Sequence, residues 1–279
     1  MYADLHNHTT HSDGTDTPLE LCRLAAARGL RVISITDHDS VGAYAELRGA
    51  ARPLPVDIIP GIELSIEADH VMIHILGYSI DVLDPGLTAL LARMAIEKTE
   101  STRLNFERAV EQGIFDFEWA RVLAHGPARP RIGGVHVVAA MEAAGAETNI
   151  PGMSLWKMFR TVFWPAEPEY ISVSTVSAQD AIEAILRARG VPVLAHPGQL
   201  GNDALVTELI HRGLRGIEAF HPTHSDGNAR RYAQMARDMG LYVTGGSDWH
   251  GRNSVRGRTF ASHGLEDDGY EILRCGQFF

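Results

Sequence analysis

Short runs rich in apolar and β-branched residues alternate along this chain with stretches whose apolar positions recur at helical spacing. The runs fall at residues 2–6, 31–36, 57–64, 71–78, 191–195, 216–220 and 241–245, and their lengths and flanking turn residues predict strands. Strands separated by helical stretches predict a parallel sheet with helices packed outside it. Thr17 is placed to cap a helix that has Pro18 at its first position and Gly29 just past its end, and the stretch 177–189 closes on Gly190 in the same way. Strand signals stop between residues 85 and 168, where 87–112, 117–124, 132–144 and 154–163 read as helices. The expectation is an α/β barrel formed by 1–84 and 169–279, with a helical insertion at 85–168.

The polar residues sharpen this picture, because nearly every expected strand leads into a side chain able to bind a metal. The first ends in His6 and His8, the second in Asp37-His38-Asp39 and the third in Glu63, while the fourth carries His74 within it. Later strands lead to His196, to Glu218 and His221, and to Asp248 and His250. In a parallel barrel the C-terminal strand ends share one mouth, so residues far apart in sequence meet there. Residues two apart in an extended segment face the same side, so His6 with His8, and Asp248 with His250, can chelate in pairs. Singly, each has a plainer reading: His74 as a core histidine, His196 as a turn residue before Pro197, Glu63 as a surface acid. As a set they predict one shared site with more ligands than a single tetrahedral ion needs, hence two or three metals. Asp4, Asp37 and Asp39 fit the support of ligand histidines as well as direct coordination. Imidazole with carboxylate suits zinc, manganese or iron without choosing among them; manganese is the first expectation. Clustered ions of this kind serve hydrolysis, because they acidify water and clamp phosphoryl oxygens.

Composition narrows the partners. At 279 residues with 45% apolar and 22% charged content, the chain can bury an ordinary core. A net charge of −10 argues against a broad nucleic-acid-binding surface, although bound cations would make the mouth locally positive. Two cysteines, Cys22 and Cys275, support neither a disulfide framework nor a thiolate metal cluster. No signal-peptide pattern opens the chain and no apolar run reaches membrane-spanning length. The expectation is a cytoplasmic protein with no membrane association and no obligate protein partner.

The ordered motifs D-L-H-N-H with S-D-G, T-D-H-D, G-I-E, the in-strand histidine of MIHILGY, A-H-P and G-S-D-W-H resemble those of the polymerase and histidinol phosphatase, or PHP, superfamily of metal-dependent phosphoesterases. The resemblance implies a distorted (β/α)7 barrel with a trinuclear site. It implies that His6, His8, Glu63 and Asp248 hold one metal, that Glu63, His74 and His196 hold a second with Glu63 bridging, and that Asp13, His38 and His250 hold the third. The S-D-G-T ending of the first motif and the segment from Ile217 to Gly251 are more similar to the branch that dephosphorylates nucleoside 3′,5′-bisphosphates and trims RNA from its 5′ end. That branch carries Arg-Pro-His where this chain has Arg129-Pro130-Arg131.

For such a substrate, a small anionic nucleotide or short single-stranded RNA, Arg129 and Arg131 stand at a loop leading into a helix, where guanidinium forks and helix-terminal amides both favour phosphate. His221 and His224 are placed to contact phosphate or protonate a leaving alkoxide. Trp156, Phe159, Phe163 and Trp164 read as insertion core rather than a base-stacking surface. Three other readings compete. They are a histidinol-phosphatase-like activity on another small phosphate, a non-catalytic module that binds a phosphorylated ligand or a polymerase, and an amidohydrolase acting on C–N bonds.

Overall fold

The computed structural model describes residues 2–50, 54–68, 71–125, 130–164, 166–254 and 257–266. Contacts divide the chain into two compact units, one of Met1–Ile66, Ile73–Ala89 and Ala178–Phe279, the other of Glu67–Met72 and Leu90–Ser177.

The first unit is built on a nearly closed sheet of seven strands in sequence order: β1 (Ala3–Asp4), β2 (Val32–Ile35), β3 (Asp57–Ala68), β4 (Val71–Tyr78), β5 (Val191–Leu194), β6 (Gly216–Phe220) and β7 (Tyr242–Gly245). β2 reads VISI and is buried at every position, as expected of a strand covered on both faces. The seam between the first and last strands is closed by Leu5 N–H to Gly245 O at 3.2 Å and His8 N–H to Trp249 O at 2.7 Å. Gly246 permits this closure: a Cβ there would lie 2.4 Å from the His6 backbone nitrogen.

Helices α1 (Pro18–Ala27), α2 (Gly42–Gly49), α7 (Ala178–Arg187), α8 (Asp203–His211) and α9 (Asp226–Asp238) belong to this unit. Local chemistry starts several of them. Thr17 and Glu20 form a reciprocal capping box on α1, and Asn202 and Ser225 accept backbone N–H groups at the starts of α8 and α9. Leu21, Ala25, Ile33, Ile35, Tyr44 and Leu47 pack α1 and α2 onto the strands. Cys22 is buried among them, and Cys275 lies outside the described residues.

The sheet departs from the all-parallel expectation at one strand. β1, β2 and β3 pair in parallel, as do β5, β6 and β7, but β4 runs antiparallel to β5, with Ile75 opposite Leu194 and Tyr78 opposite Val191. β3 also continues past Glu63 to Ala68.

The second unit contains most of α3 (Pro85–Glu111), with α4 (Trp119–Ala124), α5 (Gly134–Ala143) and α6 (Leu155–Val162). Its core gathers Phe106, Phe115, Val122, Val137, Met141, Met158 and Phe163, with Trp156 and Phe159 half-buried against it. The aromatic residues of α6 therefore serve mainly as core. Among the described residues no helix is long and apolar enough to cross a membrane.

Candidate metal centre

The residues expected from the strand-end pattern converge in the first unit. His6 and His8 follow β1, and neither has any exposed surface. His38 follows β2 and is bridged in parallel to Glu63, which sits mid-way along β3. The reversal of β4 accounts for His74. Ala195 N–H donates to the His74 carbonyl at 3.1 Å, so the early part of β4 lies at the level where β5 ends, next to His196. A residue inside a strand reaches the mouth because that strand runs the other way.

Glu63 divides its two oxygens. Its Oε2 lies 3.2 Å from Nε2 of both His6 and His8, and its Oε1 lies 2.9 Å from His74 Nδ1 and 3.2 Å from His196 Nε2. Asp248 Oδ1 approaches the same two histidines, at 3.3 Å from His8 Nε2 and 3.6 Å from His6 Nε2. A further group, His8, Asp13, His38 and His250, has ligand atoms within 4.8 Å of one another, with His250 Nε2 at 3.3 Å from Asp13 Oδ1. His196 and Asp248 hold positive φ angles of 29° and 53°, a backbone state that non-glycine residues adopt where surrounding structure over-determines it.

These donors suit divalent cations. Both ring nitrogens of His8 are buried and make no hydrogen bond, yet two carboxylate oxygens stand within 3.3 Å of its Nε2. Lone pairs converging on one point, with no proton donor among the carboxylates, are satisfied by a cation. The charge balance agrees. Burial works against ionising His6, but the Glu218 and Glu63 carboxylates outweigh it and hold its pKa well above the usual imidazole value. Burial also opposes His8, whose contacts with Asp248 and Glu63 push it up to about 9. Burial disfavours ionised Glu63 and Asp248, but neighbouring imidazoles, led by His38 and His250 respectively, hold both well below the carboxylate range. Without metal, protons on His6 and His8 take the place of cations, while burial holds His38 well below the usual imidazole value.

Around this cluster further hydrogen bonds fix its side chains. Glu218, read in the sequence only as a strand-end acid, accepts from His6 Nδ1 at 2.9 Å and from the His196 backbone N–H at 2.8 Å, orienting one ligand from each side of the cluster. Asp4 accepts from Ser247 N–H and Oγ–H and braces the chain just before Asp248. Asp37 accepts from Thr9 N–H at 2.7 Å and from the Thr9 and Ser12 hydroxyls at 2.6 Å each. Asp39 accepts the Ser65 N–H at 2.7 Å. These three aspartates each accept hydrogen bonds from neighbouring backbone or hydroxyl groups. Asp37→Ala would leave one buried N–H and two hydroxyls without an acceptor, and should lower unfolding free energy by about 3 kcal/mol in urea titrations.

Two residues expected to meet substrate sit differently. His224 Nδ1 faces the Ala219 carbonyl at 2.9 Å and its Nε2 accepts the Gly198 N–H at 3.0 Å, so both nitrogens are engaged by backbone. His221 is fully buried, and its Nδ1 accepts the Thr223 N–H at 3.1 Å. That bond leaves its proton on Nε2, which faces Asp248 Oδ2 at 3.5 Å. Burial lowers its pKa to about 4, so it faces Asp248 as a neutral ring. Arg131 belongs to the second unit, where Ile132 N–H beside it donates to Thr99 Oγ1 at 3.0 Å. Arg129 lies outside the described residues.

Comparison with known proteins fits this geometry. The profile of the PHP domain matches residues 4–121. A phosphoribosyl 1,2-cyclic phosphate 1,2-diphosphodiesterase of Eggerthella lenta is 32% identical over 255 residues, 90% of this chain and 95% of that protein. A 3′,5′-nucleoside bisphosphate phosphatase of Chromobacterium violaceum is 32% identical over 257 residues, 88% of this chain and 86% of its own. The crystal structure of a protein described as a metal-dependent phosphoesterase from Bifidobacterium adolescentis superposes with a TM-score of 0.82 at 27% identity, covering 99% of this chain and 96% of that one. With similarity of this extent joined to a buried histidine and carboxylate cluster at the barrel mouth, the chain belongs to the PHP domain family and is a metal-dependent phosphoesterase.

Proposed function

We propose that the enzyme removes the 3′-phosphate from nucleoside 3′,5′-bisphosphates such as adenosine 3′,5′-bisphosphate. The observation that carries this reading is the likeness, over 88% of the chain, to a phosphatase of that substrate class. The relative whose name concerns a cyclic phosphate on ribose is equally similar at 32% identity. The shared chemistry is thus a phosphate ester on a ribose that carries a second phosphate.

In this reading His6, His8, Glu63 and Asp248 hold one ion, Glu63, His74 and His196 a second, and Asp13, His38 and His250 a third, with manganese preferred over zinc or iron. When bound, such ions supply an acidified water and neutralise phosphoryl oxygens. The chain's own contribution is preorganisation. Glu63 presents one oxygen to each of two ligand groups, Glu218 sets the ring of His6, and neutral His221 holds Asp248. The cluster is buried in protein, so its charges act in a low-dielectric setting where electrostatic stabilisation is strongest.

The helical segment 85–168 is proposed to contribute to the substrate pocket, with Arg129 and Arg131 holding the second phosphate. Arg131→Ala should then raise KM for the bisphosphate about 10- to 100-fold. KM for a nucleoside 3′-monophosphate should stay nearly unchanged. The substrate reading is tested by a manganese-supplemented panel of adenosine 3′,5′-bisphosphate, a ribose 1,2-cyclic phosphate, histidinol phosphate and a short 5′-phosphorylated RNA. The highest kcat/KM is expected on the bisphosphate. Release of phosphate from another member with none from the bisphosphate would overturn the assignment. Mononucleotides released one at a time from the RNA would add 5′ trimming to it.

A further inference from the structure

Beyond the metal cluster, one half-buried guanidinium in the first unit keeps a buried donor without a partner among the described residues. Arg258 is about one-fifth exposed, and among the described residues its one polar contact runs from Nη2 to Asp248 Oδ2 at 3.3 Å. Its Nε is buried with no hydrogen-bond partner. A guanidinium carries five N–H donors in a rigid fork that matches carboxylate or phosphate. One oxygen at 3.3 Å among the described residues leaves donors of that fork open, the buried Nε–H among them.

The contact does not look like a closed ion pair. Asp248 Oδ1 is turned toward His6, His8 and His250, at 3.6, 3.3 and 3.5 Å, and its Oδ2 already faces the Nε2–H of His221 at 3.5 Å. The carboxylate is thus shared among several neighbours and meets only one of the arginine's donors. What it can do is aim it.

The segment bearing Arg258 is fixed in place. Phe260 packs edge-on to Trp249 at 5.7 Å within the core, the Ala261 N–H donates to Asp4 Oδ2 at 3.2 Å, and Leu265 pairs with Ala3. These anchors tie it to the residues flanking Asp248 and to β1. Arg258 is held beside the cluster on rigid structure, not carried there by a free loop.

We propose that Arg258 is a catalytic residue that grips a non-bridging oxygen of the phosphate undergoing hydrolysis, and of the inorganic phosphate product, through donors left open by Asp248. The inference rests on the phosphoesterase chemistry of the family, not on which ribose phosphate is the substrate. A guanidinium so placed neutralises charge on the transferring phosphoryl group without reorganising during the reaction.

The test uses the manganese-loaded full chain and inorganic phosphate as the probe, read by calorimetry, with metal content measured on the same samples. Arg258→Ala and Arg258→Lys should weaken phosphate binding by about 10- to 100-fold and by a smaller factor respectively. Metal content should match wild type, and added methylguanidine should restore part of the phosphate affinity of Arg258→Ala. Unchanged phosphate affinity in both variants would overturn the proposal. So would a loss of phosphate affinity in Arg258→Lys that tracks loss of metal, because Arg258 would then act only by holding Asp248. Phosphate binding is read without any nucleotide, so a wrong substrate assignment leaves this result intact.

Discussion

Glu63→Gln is expected to reduce kcat/KM by more than about 10³-fold, or about 4 kcal/mol of transition-state stabilisation. The reason is its double service: each oxygen faces a different group of imidazoles, His6 and His8 on one side, His74 and His196 on the other. An amide keeps the shape but offers one acceptor oxygen and no charge, so at least one group loses its anion. Metal content by elemental analysis should fall along with activity. A useful contrast is Glu218→Gln, which disturbs only the setting of His6 and His196 and should cost about 10- to 100-fold. Equal losses in the two variants, or full metal content with Glu63→Gln, would contradict the bridging role.

Metal removal should reveal the second large effect, in its dependence on pH. In the metal-free protein His8 has its pKa raised from 6.5 to about 9. A raised histidine contributes stability that is fully present below pH 6.5 and is lost as pH rises through about 9. On that basis the metal-free protein should lose on the order of 3 kcal/mol across this window. The loaded protein has no such proton to lose, because cations then occupy the site and bind deprotonated ligands. The gap in Tm between manganese-loaded and chelator-treated protein should therefore widen with pH, by about 5–10 °C. Metal uptake in weak buffer should release protons over the same range. A gap that narrowed as pH rose would mean that proton and metal do not compete for His8.

Much of the barrel was legible because strand runs and strand-end ligands carry separate periodic signals. Each of the seven strands falls within or close to its sequence-read segment, since a buried strand is a short apolar run bounded by turn residues. The direction of β4 was not legible, because a strand's composition is the same whichever way it runs. The in-strand position of His74 is the trace that reversal left. Glu218 was visible as a strand-end acid, but its role required knowing that His6 and His196 flank it. Arg258 carried no signal at all: it lies in a glycine-containing loop with no periodicity, and only its contact with Asp248 and its buried Nε mark it. His221 and His224 share one short motif, and their difference lies in a backbone N–H that happens to reach the Nδ1 of the former. Spacing does not record such contacts.

The seam between β1 and β7 also affects how the molecule comes apart. Asp4 and Ser247, 243 residues apart, join across it, and His6, His8 and Asp248, which could hold an ion together, lie on its two sides. An ion held among them cross-links the two ends of the sheet much as a disulfide closes a very long loop. Opening the ring then requires releasing the ion first. Occupancy would set the rate of unfolding as well as its equilibrium, and chelation would shorten the lifetime of the folded barrel even at temperatures where it remains the favoured state.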